Sequence, residues 1–219
     1  MIIVTSFVLS RHSRRNDEFL FALTKNSENV LVDAIHILTE DASVIEWVKG
    51  INKIYVSKVD CRPTFRTIVD YANTISGPVA IINSDIFLDD SLVVPPPGVV
   101  FCLTRWTPDV SGPGPWYARP WVETNGMSFD TYIFNPPIKI TDIDFHLGTL
   151  GCDGKFAYEL HNSGLQVVNP SAAIRSYHVH ASAIREYGDQ WVKGSYLRIG
   201  ITDSFEHNPK LVYVHRTEL

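Results

Sequence analysis

Short, β-branched apolar runs alternate with helical patterns through the first part of the chain. Ile2–Phe7, Ala34–Leu38, Ile54–Val59 and Val79–Ile82 read as strands, each nearly continuous in apolar residues, as expected of strands buried on both faces. Between them, Asn16–Thr24 carries Phe19, Leu20 and Leu23 at helical spacing, and Ser43–Lys49 is a shorter helix. Phe65–Asn73 turns Ile68, Val69 and Ala72 to one side behind Thr64, a residue suited to cap a helix. The β-α-β-α-β-α-β order predicts an α/β fold with a mostly parallel, Rossmann-like central sheet flanked by helices.

After Asp90 the texture changes. Pro95-Pro96-Pro97-Gly98 breaks the chain, and Val99–Leu103 is a further strand. Residues 105–126 are rich in Pro, Gly and aromatics, with Trp106, Trp116, Tyr117 and Trp121 among them. A long loop of that kind inside a domain points to function, and its aromatic content argues against disorder. Thr131–Phe134, Gln166–Val168 and Ser176–His180 read as strands and Lys155–Asn162 as a helix ended by Gly164. The tail after Gly188 has no period that places it.

Length and charge narrow the picture. At 219 residues with net charge −5 and a pI near 5.9, the chain can bury a core without staples and carries no global basic field for nucleic acid. Cys61, Cys102 and Cys152 are far apart without CxxC spacing, which points away from a zinc site or disulfide framework and toward a reducing, cytoplasmic setting. The start reads as a first strand rather than a signal peptide. No run reaches the roughly 18 apolar residues of a membrane span.

Polar groups recur where the early strands end: Thr5 and Ser6, then Glu40, then Asp60 and Arg62, then Asn83-Ser84-Asp85. Parallel strands would bring these to one edge, where open α/β sheets bind ligands. Hydroxyls and an acid suit a base and ribose, and an arginine suits a phosphate; ordinary loop polarity would give the same pattern. There is no GxGxxG after the first strand and no GxxxxGK[ST] anywhere, so the dinucleotide-oxidoreductase and P-loop readings lose their main support. His178 and His180 flank Val179, and strand period would place both imidazoles on one face. With Asp85 they would suit a divalent cation, although HxH alone offers too few ligands and fits two packed edge-strand histidines equally well. Asp153 follows a glycine-rich turn and could be a helix N-cap or a general base. The two roles compete, because capping lowers a carboxyl pKa. Arg105-Trp106 could meet a phosphate and a sugar or base, with Arg185 and Tyr187 closing the same pocket.

Taken together, TSF, RRNDEF, HILTE, RPTF, IINSDIF, CLTRW, FDTYIF, DFHLGTLGCDGKFAYEL, GLQVVNPS and SYHVHASAIREY resemble a family of small GT-A-type glycosyltransferase-like proteins of bacteria and viruses. The resemblance runs from Ile2 to about Tyr187. It implies a GT-A-type nucleotide-sugar fold, with a donor half to about residue 94, an acceptor half to about 187 and a C-terminal extension over 188–219. It further implies a hexosyl- or pentosyltransferase using a nucleotide-sugar donor, with UDP the leading choice. The acceptor would be a glycan, a small molecule or a hydroxymethylated pyrimidine in DNA, and the setting the cytoplasm (a host's, if viral). Phe7 and Arg15 join Thr5, Ser6, Glu40, Arg62, Asn83, Ser84 and Asp85 on the donor side. Trp106, Trp116, Asp130 and Cys152 fall to the acceptor side, and Arg105 and Asp153 to catalysis, with Asp153 as base of an inverting reaction. Asp85, His178 and His180 would hold Mn or Mg. The chain departs from a DxD motif at Asn83. That departure keeps open a non-catalytic nucleotide-sugar or carbohydrate-binding module, and more distantly a metal-dependent phosphate-ester hydrolase.

Overall fold

The computed structural model describes residues 1–109, 117–120, 128–182, 184, 186, 190–207 and 210–216. Its centre is a seven-stranded sheet in the order β10-β6-β9-β4-β1-β2-β3, made of β1 (Ile2–Ser6), β2 (Ala34–Thr39), β3 (Ile54–Lys58), β4 (Val79–Ile82), β6 (Val99–Thr104), β9 (Phe129–Phe134) and β10 (Gln166–Val168). β9 runs antiparallel to both β4 and β6, and the other pairs are parallel. The expected mostly parallel α/β sheet is therefore present.

Alternation along the strands divides the core between the two faces of the sheet. Ile3, Ile35, Ile37, Ala80, Ile82, Phe101, Leu103 and Ile133 pack with Phe19 and Leu23 of α1 (Ser13–Glu28) and with Val44 of α2 (Ser43–Trp47). Val4, Leu38, Val79, Ile81, Val100, Cys102 and Tyr132 pack with Phe65, Ile68 and Val69 of α3 (Phe65–Ala72) and with Phe156 and Leu160 of α4 (Cys152–Asn162). Both faces are covered, which accounts for the uninterrupted apolar runs of the early strands. Thr64 caps α3 through its hydroxyl, which accepts from the Thr67 amide.

A smaller sheet, β5-β11-β7-β8, adjoins the first. It is built from β5 (Ile86–Leu88), β7 (Trp106–Asp109), β8 (Tyr117–Pro120) and β11 (Ser176–His178). The tail that periodicity could not place forms a hairpin of β12 (Gly194–Ile199) and β13 (Leu211–Arg216). Leu197 and Ile199 of β12 join the α4-side core. No helix among the described residues is long and apolar enough to cross a membrane.

Two elements depart from the sequence expectation near the site. The strand over 176–180 ends at His178, so His180 lies just beyond it, outside any strand. The helix starts at Cys152 and not Lys155, with Gly151 at its N-cap in the left-handed region, φ 78°. A Cβ at Gly151 would lie 2.7 Å from the Trp191 ring and 2.9 Å from Tyr196, so both backbone angle and space call for glycine. Asp153 is therefore in the first turn and does not cap.

Candidate active site

Strand order reverses between β1 and β4, because β2 and β3 lie on one side of β1 and β4 on the other. Ligands of open α/β sheets sit beyond the strand ends at such a point. A cleft of about 560 Å³ opens there, within the usual size for a small-molecule site. Ser6, Phe7, Arg15, Glu40, Arg62, Asn83, Ser84, Asp85, Arg105, Asp130, Cys152, Asp153, His178 and His180 all line it. Three sequence candidates do not. Thr5 is fully buried and Asp60 is exposed elsewhere. Trp106 packs near Phe87 and Tyr177, and its indole N–H donates to the Ser171 carbonyl at 2.7 Å. Trp116, Arg185 and Tyr187 lie outside the described residues.

Asp85 follows β4 and is buried, with 4% of its surface exposed. One of its oxygens, Oδ2, gathers most of the local charge. Arg15 Nη2 donates to it at 2.5 Å, His178 Nε2 stands 3.0 Å away and His180 Nδ1 3.8 Å away. The backbone holds this together, because Val179 N–H donates to the Asp85 carbonyl at 2.8 Å. Arg15 also donates to Glu18 at 2.7 Å and to the Val179 carbonyl at 3.3 Å, and lies over the Phe19 ring at 4.7 Å. The two imidazoles stack, with centroids 5.2 Å apart. Burial opposes the Asp85 charge. Even so, the charge and hydrogen bond of His178, with His180 and the Arg15 charge beside it, hold the carboxyl well below its ordinary pKa.

Asp85, His178 and His180 each offer one donor atom, and these atoms lie within 4.8 Å of one another. His180 Nε2 is buried without a partner among the described residues. This set of two imidazoles and one carboxylate fits a divalent cation of the Mn type better than Mg, which prefers oxygen alone. Arg15 already bonds the same carboxylate oxygen, so a cation there would compete with it.

Asp153 shows the opposite electrostatics. Cys152 Sγ donates to its Oδ1 at 3.2 Å. Burial, followed by the nearby Asp130 charge, pushes its pKa well above the usual carboxylate range, against the Cys152 hydrogen bond and the Arg105 charge. The competition between capping and base roles is absent, since the cap belongs to Gly151.

Asn83 and Asp130 join the two ends of the cleft. Asn83 N–H donates to the Asp130 carbonyl at 3.0 Å and Asn83 Nδ2 to Asp130 Oδ1 at 2.7 Å. Asp130 Oδ2 lies 3.5 Å from Arg105 Nε, and Arg105 Nη1 is 3.3 Å from the His178 ring. Sequence reasoning missed Ser128, Gly148, Thr149, Ile184 and Glu186, which also line the cleft; Gly148 and Thr149 belong to the glycine-rich turn that precedes Asp153 in the sequence.

No family model matches the chain, and no curated protein matches it. Among solved structures, S. aureus TarS residues 1–349 aligns with TM-score 0.47 at 12% identity, covering 81% of this chain and 60% of that one. The same segment in complex with UDP-GlcNAc gives TM-score 0.45 and 12% identity over 88% and 61%. A longer TarS structure gives 0.47 and 10% over 82% and 36%. The chain thus spans about 60% or less of the proteins it is matched to.

Proposed function

We propose that this chain is a glycosyltransferase that moves a sugar from a nucleotide-sugar donor, with UDP as its leading nucleotide, to an acceptor hydroxyl. The observation that carries the reading is one cleft at the strand switch point holding an ionised Asp85 among Arg15, His178 and His180, and an Asp153 of raised proton affinity. The GT-A-like order of NSDI, LTRW, GCD and HxH supports it.

The roles follow from charge. As the anomeric bond breaks, negative charge develops on the diphosphate, and Arg15 and Arg105 present positive charge on that side of the cleft. A divalent cation bound by Asp85, His178 and His180 would add Lewis-acid stabilisation of the same oxygens. The acceptor oxygen attacks the anomeric carbon as the bond to the diphosphate breaks, and the acceptor proton passes to Asp153. A carboxyl held above its ordinary pKa is the better base for this step. Direct attack of this kind inverts the anomeric centre. Ser6, Phe7, Glu40 and Arg62 line the nucleoside end.

The test is mass spectrometry after incubation with mixed nucleotide sugars, Mn²⁺ and three acceptor classes: oligosaccharides, small alcohols and duplex DNA carrying hydroxymethylated pyrimidine. Transfer to one class, with loss of the nucleoside diphosphate, supports the proposal; intact donors in every mixture oppose it. A nucleotide-sugar-binding module is the second reading, favoured by Asn83 pairing with Asp130 instead of offering a second acid. Calorimetric binding of a UDP-sugar without turnover would select it.

A further inference from the structure

The antiparallel pairing of β4 with β9 sets Ile82 against Thr131. The Asn83 N–H to Asp130 carbonyl bond continues that contact by one step, and the two side chains meet at 2.7 Å. Like charges placed opposite each other across such a pair repel. An ionised Asp at 83 would have no donor for Asp130, and two carboxylates would share one half-buried contact. Asn supplies the N–H. Its orientation is dictated as well, because turning the amide over would set its oxygen against the carboxylate. The departure from DxD at this position therefore has a local cause in residue 130.

Asp130 is 4% exposed. Oδ1 is used by Asn83, while Oδ2 is buried, accepts no hydrogen bond among the described residues and lies 3.5 Å from Arg105 Nε. Arg105 in turn reaches His178, which also contacts Asp85. Residues from β4, β9, the end of β6 and β11 thus form one relay along the cleft.

We infer that Asn83 and Asp130 are a pair of positioning residues: Asn83 fixes the Asp130 carboxylate, and Asp130 sets the Arg105 guanidinium against the donor's departing diphosphate without itself touching the acceptor. The inference rests on the glycosyl-transfer reading for what Arg105 acts upon. The pair has a second consequence, since the Asp130 charge raises the proton affinity of Asp153. Asp130, Asp85, Arg105 and Cys152 are the charged and titratable groups that act on Asp153, and Tyr132 from β9 donates to its carbonyl at 3.1 Å.

A double-mutant cycle tests this with Asn83→Asp, Asp130→Asn and the exchange of both. In the exchange, residue 130 becomes the donor to residue 83, so the contact is kept while the carboxylate leaves Arg105. Thermal unfolding should show both singles destabilised and the exchange recovered toward wild type. The transfer kcat should fall about 10- to 100-fold in each single, as for other supporting partners of a site. It should stay low in the exchange, with the acceptor KM unchanged throughout. Titration of the Asp153 carboxyl by ¹³C NMR should move to lower pH in Asp130→Asn. A rise in acceptor KM with kcat retained would overturn the inference, since it makes Asp130 an acceptor contact. An unmoved Asp153 midpoint together with independent, additive stabilities would also overturn it. If the wild type transfers no sugar, the glycosyltransferase reading fails, and the unfolding and NMR arms still decide the pair.

Discussion

Asp85 and Asp153 share one cleft and have opposite environments. Asp85 sits where β4 ends, and its carboxylate collects an arginine and two imidazoles. Asp153 sits in the first turn of α4 beside a thiol, with the Asp130 charge as its largest burden after burial itself. Burial acts against both charges. Partners decide the outcome: cations overcome the cost at Asp85, and a like charge adds to it at Asp153. Titratable groups driven apart in this way are a mark of divided acid–base roles within one site. The end that carries Asp85 is suited to anions, and the end that carries Asp153 to receiving a proton.

Removing the base should have the largest effect. Asp153→Asn should lower transfer by about 10²- to 10⁴-fold with a folded protein, measured by initial rates beside circular dichroism. Transfer at the wild-type rate would break the contrast between the two carboxyls. Next, Asp85→Ala leaves Arg15 and the histidines without their common acceptor. Truncating one partner of a buried pair costs about 3–5 kcal/mol, readable in urea unfolding, and donor affinity should fall with it.

The pH dependence sharpens the comparison further, because the signs differ. The Asp85 pKa is depressed by folding. Its stabilisation is present above the unfolded carboxyl pKa and is lost as pH falls through the folded value. The Asp153 pKa is raised. Relative to a neutral side chain, it begins to weaken the fold once pH exceeds the unfolded value, and the penalty stops growing above the folded one. Asp153→Asn should therefore unfold at a higher temperature than wild type at neutral pH, with the gap closing in acid. For Asp85→Asn the wild type should be the more stable at neutral pH, with that advantage shrinking in acid. The smallest effect serves as a control. Thr64→Ala removes the α3 cap and should cost about 1 kcal/mol without altering the contrast.

How legible these regions were follows from their physics. β1 and β4 are buried on both sides, so each shows as an apolar run with its polar cluster at the end, and Asp85 could be picked out directly; β2 and the edge strand β3 are less completely buried. α1 extends beyond the expected Asn16–Thr24 at both ends, because its flanks, Ser-Arg-Arg and Lys-Asn-Ser-Glu, carry no apolar period. The second sheet was hidden by short strands; β5 has three residues and β7 four. The polar Gly-Ser start of β12 masked the hairpin. Asp153 stands out by its motif, and the sequence leaves both the cap and the base role open for it. An Asp two residues past a glycine looks like a cap, and only the crowding of Trp191 and Tyr196 over Gly151 places the cap earlier. Asn83 looked like a lost metal ligand; its reason lies across the strand pair at Asp130, a contact invisible along the chain.

The most direct test is the rate of nucleoside-diphosphate release from a UDP-sugar, with acceptor present, followed from acid to neutral pH for wild type and for folded Asp153→Asn. The account predicts a wild-type rate that climbs with pH through a midpoint above the ordinary carboxyl range, and a variant that lacks both the rate and the climb. Equal rates in the two proteins, or a wild-type profile flat across that range, would contradict it.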